Sequence, residues 1–199
     1  MKVLIIIPTY NCSKQIVRVL DEFSPELRSR LSEVMILDNQ SSDTTKEDAF
    51  NYIEKNGYKN FIVSRNDENY NLGGSQKFGF LKSISENFDY IAILHGDNQA
   101  KTQELNNLLN TAIANPDLDI VMGARFMIGS SLKGYSMVRI LGNIGINFIY
   151  SIFSGKLIWD LGSGLNLYKV SAVKKLNFLD CSDALTFNMD LLLETISKR

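Results

Sequence analysis

Short apolar runs alternate with longer, more polar stretches through the first 125 residues of this chain. KVLIIIP (2–8), EVMILD (33–38), NFIVSR (60–65), YIAILHG (90–96) and DIVMGAR (119–125) have strand length and are rich in β-branched residues. The segments between them, near 13–23, 43–56, 74–87 and 101–114, have helical length and composition. This alternation predicts an α/β fold with a mostly parallel central sheet and helices on both faces. Past residue 125 the pattern changes to a loop, an apolar helical stretch, a Gly/Ser turn and a short strand at 165–170. The chain closes on FNMDLLLETISKR, a helix with an abrupt ending that reads as a fragment or a trimmed domain.

Two apolar stretches bear on membranes. MKVLIIIPTYN has a short apolar run ending in Pro-Thr-Tyr-Asn, so it reads as a first buried strand and not as a signal peptide. ILGNIGINFIYSIFSG (140–155) is interrupted by Gly, Asn and Ser. It is expected to fall short of a spanning helix, which needs about 20 mostly apolar residues. No transmembrane segment is expected.

The 199 residues are long enough for one large domain with a substantial core, and 45% hydrophobic with 22% charged residues is an ordinary globular composition. A net charge of −1 argues against a general nucleic-acid binder. Cys12 and Cys181 have no metal-binding spacing and make no disulfide framework, so reduced thiols in a cytoplasmic setting are expected.

In sheets of this kind ligands bind beyond the carboxyl ends of the strands. After the first strand stand Pro8, Thr9, Tyr10 and Asn11, a platform for a flat base or a plain strand-to-helix turn. After the second, Ser42 or Asp43 suits a helix cap, which leaves Asp38 and Asn39 needing another explanation. NYNLGGSQKFGF (69–80) places Gly73 and Gly74 where a loop enters a helix and backbone can approach a ligand. It is neither a P-loop nor a dinucleotide fingerprint. After the fourth strand, Asp97 and Gln99 stand two apart, on one side of the chain if it is still extended. Acid and amide oxygens suit Mg²⁺ or Mn²⁺ completed by phosphate and water, while capping of the next helix explains Asp97 equally well.

Taken in order, these stretches resemble the family 2 glycosyltransferases. IIIPTYN is similar to that family's opening, and LDNQSSDTT to its V-D-D-G-S-x-D-x-T. NYNLGGSQKFGF is similar to its Asn/Gly-rich motif, and HGDNQ falls where it places D-x-D-x-Q. VMGARF and WDLGSGLNLYK are most similar to the polyprenyl-phosphate sugar transferases of the dolichyl-phosphate mannosyltransferase type.

The resemblance covers nearly the whole chain. It implies a GT-A fold over a single catalytic domain, 1–199, with a nucleotide-sugar-binding half (1–100) and an acceptor half (101–199). The implied activity is metal-dependent transfer of a hexose, with inversion, from a nucleotide-diphosphate sugar to a polyprenyl phosphate. Pro8, Tyr10, Asn11, Asp38, Asn39 and Gly73 would lie on the donor side, and Asp97 and Gln99 would bind the metal. Arg125 and Arg139 would meet phosphate oxygens, and Asp160, Ser163 and Gly164 would shape the acceptor side.

The departures are His95 for the metal motif's first Asp, Asn39 for the second acid of the nucleoside motif, Asn71 for a glycine and Asn166 for an Arg. They leave room for a degenerate module that binds a nucleotide sugar without turnover. Transfer to a saccharide hydroxyl is the other alternative, and it would need a general base, for which Asp190 is the candidate. Glu194, one turn later, reads as a solvated charge. The apolar residues of 140–159, with Trp159, read as core or as peripheral contact with the cytoplasmic membrane face.

Overall fold

The computed structural model describes residues 1–127, 130 and 136–198. Strands β1 (Val3–Thr9), β2 (Glu33–Asp38), β3 (Phe61–Arg65), β4 (Tyr90–Leu94), β5 (Ile120–Met122) and β6 (Leu165–Lys169) form one sheet in the order β3-β2-β1-β4-β6-β5. β1 pairs in parallel with β2 and β4, and β2 with β3; β6 runs antiparallel between β4 and β5. All seven residues of β1 are buried. A central strand covered on both faces can be apolar without alternation, which is why LIII reads as a continuous run.

Between the strands lie helices α1 (Ser13–Asp21), α2 (Pro25–Ser29), α3 (Thr45–Asn56), α4 (Asn71–Ser85) and α5 (Leu105–Ala114). Later come α6 (Met137–Ser154), α7 (Val170–Val173) and α8 (Phe187–Ser197). Val3, Ile5 and Ile7 point to one face, where α1, α3 and α5 bring Ile16, Leu20, Ile53 and Leu109. Leu4 and Ile6 point to the other, where α4, α7 and α8 bring Phe80, Val173, Phe187 and Leu191. Helices therefore cover both faces, as the alternation predicts. The short α2 follows Ser24, whose Oγ accepts from Leu27 N at 3.1 Å, with Pro25 at its first position. Ser-Pro is a readable start signal that the periodicity leaves unmarked.

The expectation for 140–155 is corrected. Residues 137–154 form one continuous 18-residue helix that is long and apolar enough to cross a membrane by length and composition. At 1.5 Å per residue it spans about 27 Å. The interruptions do not break it, because the polar side chains bond to their own helix: Asn143 Nδ2 donates to Arg139 O at 2.7 Å and Ser151 Oγ to Asn147 O at 2.7 Å. Asn147 is the one residue of α6 that is buried.

Candidate functional site

β2 and β3 lie on one side of β1 and β4 lies on the other, so the loops after β1 and β4 diverge at a topological switch point. At its floor Gly96 N donates to Pro8 O at 3.2 Å, and His95 N donates to Gly164 O at 3.2 Å. This brings the ends of β1 and β4 together with the turn before β6.

On the β2 side the residues expected to face the donor are engaged with the protein itself. Asp38 has no exposed surface. Both its oxygens accept from Ser41 N at 3.3 Å, and Oδ2 lies 3.4 Å from Nε of Arg65, its register partner on β3. Asn39 is also buried: its Nδ2 donates to Asn69 Oδ1 at 2.8 Å. Its Oδ1 accepts from Asn66 Nδ2 at 2.8 Å and Tyr70 N at 2.9 Å. Both residues thus brace the loops that frame the crevice. Pro8 is buried within β1, and Tyr10 and Asn11 are the exposed residues of this group. Asn11 takes a left-handed φ of 49°, which Asn tolerates. It is held there because its N–H donates to Ser41 Oγ at 2.9 Å and its Oδ1 accepts from Ser42 N at 2.8 Å.

The capping expectation shifts as well. Thr44 is the N-cap of α3 and makes no side-chain cap bond. Asp43 instead accepts from the first residues of two helices, Thr45 N at 3.0 Å and Ser13 N at 3.2 Å, and from the Thr45 hydroxyl. The small burial cost is outweighed by these bonds, and its pKa is held below the ordinary 3.8.

After β4 the chain does not stay extended. Asn98 takes φ 59° and Asp97 Oδ1 accepts from Gln99 N at 3.1 Å, so residues 97–99 turn. The strand-based reason for placing Asp97 and Gln99 on one side therefore fails, although both are exposed at the mouth of the crevice. His95 is half-buried, and its Nε2 is shielded with no hydrogen-bond partner. Burial pushes its pKa below the ordinary 6.5; the Asp97 carboxylate opposes this shift and Arg125 reinforces it. The ring is neutral at pH 7, with a lone pair or an N–H aimed at nothing in the described chain.

On the far side Arg125 and Asp160 form a two-pronged pair. Nε of Arg125 donates to Asp160 Oδ2 at 2.7 Å and NH2 to Oδ1 at 2.8 Å, and Arg125 N adds a bond to Oδ2 at 2.9 Å. NH2 also donates to Gly162 O at 2.7 Å. Asp160 and Ser163 are buried, and Ser163 Oγ donates to Leu165 O at 3.1 Å. Arg125, expected on phosphate, is thus a strut for the 160–164 turn. Arg139 is exposed in the first turn of α6.

Asp190 Oδ2 accepts from Ser182 N at 3.0 Å, fastening the 182–183 loop to α8. Gly73 belongs to that contact and not to a ligand cradle: a Cβ there would stand 2.5 Å from Ser182 O, and its N–H donates to Asp183 O at 2.7 Å. Glu194 is not simply solvated, since it accepts from Asn177 N at 2.6 Å and pairs with Lys198 Nζ at 2.8 Å.

Sequence reasoning passed over two further residues. Asn188 Nδ2 reaches Ser163 O at 3.3 Å, tying α8 to the acceptor-side turn. Asn147 Nδ2 donates to Trp159 O at 2.8 Å while its Oδ1 accepts from Leu161 N at 3.1 Å, gripping the chain on both sides of Asp160. A buried Asn in an apolar helix is itself a signal that a network exists.

Residues 4–176 match the family model described as Glycosyl transferase family 2. The UDP-N-acetylglucosamine–dolichyl-phosphate N-acetylglucosaminyltransferase of Methanococcus voltae is 25% identical over 200 residues, covering 92% of this chain and 78% of that protein. The dolichyl-phosphate beta-glucosyltransferase of Homo sapiens is 26% identical over 183 residues, covering 86% of this chain and 56% of that one. Among solved structures, glucosyl-3-phosphoglycerate synthase of Mycobacterium tuberculosis, in complex with Mn²⁺, UDP-glucose and glycerol 3-phosphate, superposes with a TM-score of 0.72. It is 14% identical, and the match covers 99% of this chain and 66% of that one.

Proposed function

The chain belongs to glycosyl transferase family 2 and has the GT-A fold, and from that premise we propose that it moves a hexose from a nucleotide-diphosphate sugar to a polyprenyl phosphate, with inversion. The observation that carries the lipid acceptor is α6. This exposed apolar helix runs through residues 155–159 directly into Asp160 of the acceptor-side turn. A sugar-hydroxyl acceptor gives no role to such a surface. In that reading Asp190 must also act as base, yet its carboxylate already accepts from Ser182 N.

In the proposed reaction an oxygen of the lipid phosphate attacks the anomeric carbon from the face opposite the diphosphate. The bond from that carbon to the diphosphate oxygen breaks, and the nucleoside diphosphate leaves with the electron pair. A lipid monophosphate with a second pKa of about 6 is already largely ionised at neutral pH, so no base is required. The chain's work is then to position two anions. Tyr10 and Asn11 face the nucleoside on the platform built by Asp38, Asn39 and Ser41. The Arg125–Asp160 pair fixes the 160–164 turn against His95, and Arg139 on α6 is the cation offered to the lipid phosphate.

A divalent metal fits the donor side as a partial set. Asp97 presents an exposed carboxylate, His95 a neutral ring with an unpartnered Nε2, and Gln99 an amide oxygen. Among the described residues no three His, Cys, Asp or Glu side chains gather to hold an ion unaided. Asp97, with His95 and Gln99 near it, would hold such an ion only together with oxygens supplied by the donor's phosphates and water, which suits Mg²⁺. When bound, such an ion stabilises the charge on the departing diphosphate. A divalent metal on the donor side is in keeping with the solved neighbour of this fold, which holds Mn²⁺ together with UDP-glucose.

Calorimetric titration of UDP and GDP, each with and without Mn²⁺, tests the donor side. Metal-dependent binding of one nucleotide, lost in Asp97→Ala, is expected; unchanged affinity and metal dependence in that variant would remove the assignment. Transfer to a polyprenyl phosphate, with none to a saccharide hydroxyl, tests the acceptor.

A further inference from the structure

Between the sheet and α4 and α8, an aromatic layer gives way to a polar one. In the first, the Phe80 ring lies 5.1 Å from that of Tyr168 and 5.9 Å from that of Phe187. In the second, Gln76 stands one helical turn before Phe80, Asn166 two residues before Tyr168, and Asn188 next to Phe187. Both asparagines donate from Nδ2 to a single carbonyl, Ser163 O, at 3.0 and 3.3 Å. His95 joins this layer from the end of β4. Ile93 is opposite Asn166 in the β4–β6 register, and His95, two residues on, bonds through its N–H to Gly164 O. Positions two apart on a strand share a face, so His95 and Asn166 are on the same side of the sheet. Gln76, Asn166 and Asn188 are 0%, 1% and 6% exposed. Yet Gln76 Nε2 and Oε1, Asn166 Oδ1, Asn188 Oδ1 and His95 Nε2 are all shielded from water and form no hydrogen bond. Native interiors rarely leave such atoms open, and a whole layer of them needs an account.

We infer that Asn166 and Asn188 are positioning residues for His95: their amide oxygens take the ring's Nε2–H, directly or through one buried water, and leave Nδ1 as the nitrogen offered to the donor-side ion. That last step rests on the donor-side reading above. The donor count decides the tautomer. Ser163 O can only accept, so both asparagine NH2 groups are turned to it and their free atoms are oxygens. A ring lone pair facing those oxygens would repel them, whereas an N–H satisfies one. A neutral imidazole has one N–H, so Nδ1 then keeps its lone pair. Gly164 leaves that nitrogen uncovered, since a Cβ there would stand 2.9 Å from it. The two departures from the family pattern that meet here, His95 for an acid and Asn166 for an Arg, replace a pair of opposite charges with two neutral groups. The layer is therefore balanced in charge, and a nitrogen held by an outer hydrogen bond stands where a carboxylate is expected.

His95 is the single histidine of the sequence, so ¹⁵N NMR of the ligand-free protein reads its ring without ambiguity. At neutral pH Nε2 should carry the proton and Nδ1 should not. The Nε2–H should also exchange slowly enough to be seen, which a ring open to water does not allow. Asn166→Leu with Asn188→Leu should abolish that slow signal. Gln76→Leu keeps both asparagine oxygens and should retain it. Calorimetric titration of UDP and GDP with and without Mn²⁺ then reads the consequence. In the double variant the metal-dependent part of nucleotide affinity should fall about tenfold or more, the loss typical of removing a ligand's outer partner. Metal-free nucleotide binding should stay as in the parent.

The parent spectrum is decisive by itself, should the double variant fail to fold: an unprotonated or rapidly exchanging Nε2 overturns the inference. Loss of the slow signal in Gln76→Leu overturns the assignment to the asparagines. Equal loss of metal-free and metal-dependent binding in the double variant overturns the positioning role, because a merely structural layer would weaken both. A slow Nε2–H without metal-dependent binding of either nucleotide keeps the layer and removes the donor-side reading. Metal-dependent binding with Nε2 unprotonated does the reverse.

Discussion

A Cβ added to Gly164 would stand 2.9 Å from Nδ1 of His95. The two residues also share a backbone bond, His95 N to Gly164 O at 3.2 Å, which joins the end of β4 to the acceptor-side turn. The glycine is therefore a steric requirement of the imidazole above it. Gly164→Ala must move the ring or the turn, a small overpacking that costs about 1–3 kcal/mol. Urea denaturation should show that loss, and removing the ring in the double variant with His95→Ala should recover most of it. Additive losses in the double-mutant cycle would show that the contact does not couple the two.

The Arg125–Asp160 pair makes a second, opposed expectation to the one drawn from phosphate chemistry. Asp160 is buried and its carboxylate takes three bonds from Arg125, so breaking the pair leaves a buried charge without its partner. Arg125 is partly exposed, which discounts the cost for solvent, and about 2 kcal/mol of destabilisation is expected for Arg125→Met. Lys cannot reproduce the two-pronged geometry, so Arg125→Lys should lie close to Arg125→Met and not to the parent. Chemical denaturation without ligand decides it: parent-like stability in both variants would return Arg125 to a ligand role alone.

The contrast between Asp38 and α6 shows where the sequence was legible. Strands were readable because a sheet covered on both faces demands apolar runs such as LIII; β2 to β5 each fall within a run of that kind, and β1 passes the end of its run by one residue, Thr9. Asp38 reads as a ligand residue because it ends a strand, yet Arg65, 27 positions later, stands beside it only through the β2–β3 register. No local pattern carries that information. Gly, Asn and Ser in 140–155 read as interruptions because their propensities are low. In the helix their side chains return to its own carbonyls, or project where nothing crowds them, as at Gly142 and Gly145. The turn at 97–99 was signalled more directly, since Asn98 is one of the few residue types that accept a left-handed φ.

Asp43 supplies a pH dependence with a definite sign. Its pKa is lowered in the folded chain, so its contribution to stability is fully present above the ordinary 3.8 and is lost as pH falls through the folded value. Asp43→Asn should therefore melt below the parent at pH 7, because a neutral amide holds the Ser13 and Thr45 N–H groups less well. The gap between the two proteins should begin to narrow only below the ordinary 3.8 and close as pH falls through the lower folded value, where the parent carboxylate is itself protonated. Melting curves from pH 7 down into that acid range measure this. A gap that stays constant across the range would assign the effect to shape and not to charge.

Asn147 links the exposed helix to the acceptor-side turn, and its two bonds make separable predictions. Asn147→Leu keeps the volume and removes both, leaving Trp159 O and Leu161 N without their partner in a buried setting. About 2 kcal/mol is expected for that loss. Asn147→Asp keeps an acceptor for Leu161 N but sets a carboxylate against Trp159 O. Stability should then fall at neutral pH and partly recover in acid, where the protonated side chain can again donate. Because the bond ends on its own carbonyl, Trp159 emission should redden in both variants as the 159–161 segment loosens. Near-parent emission with reduced stability would mean that Asn147 supports α6 without holding the turn that carries Asp160.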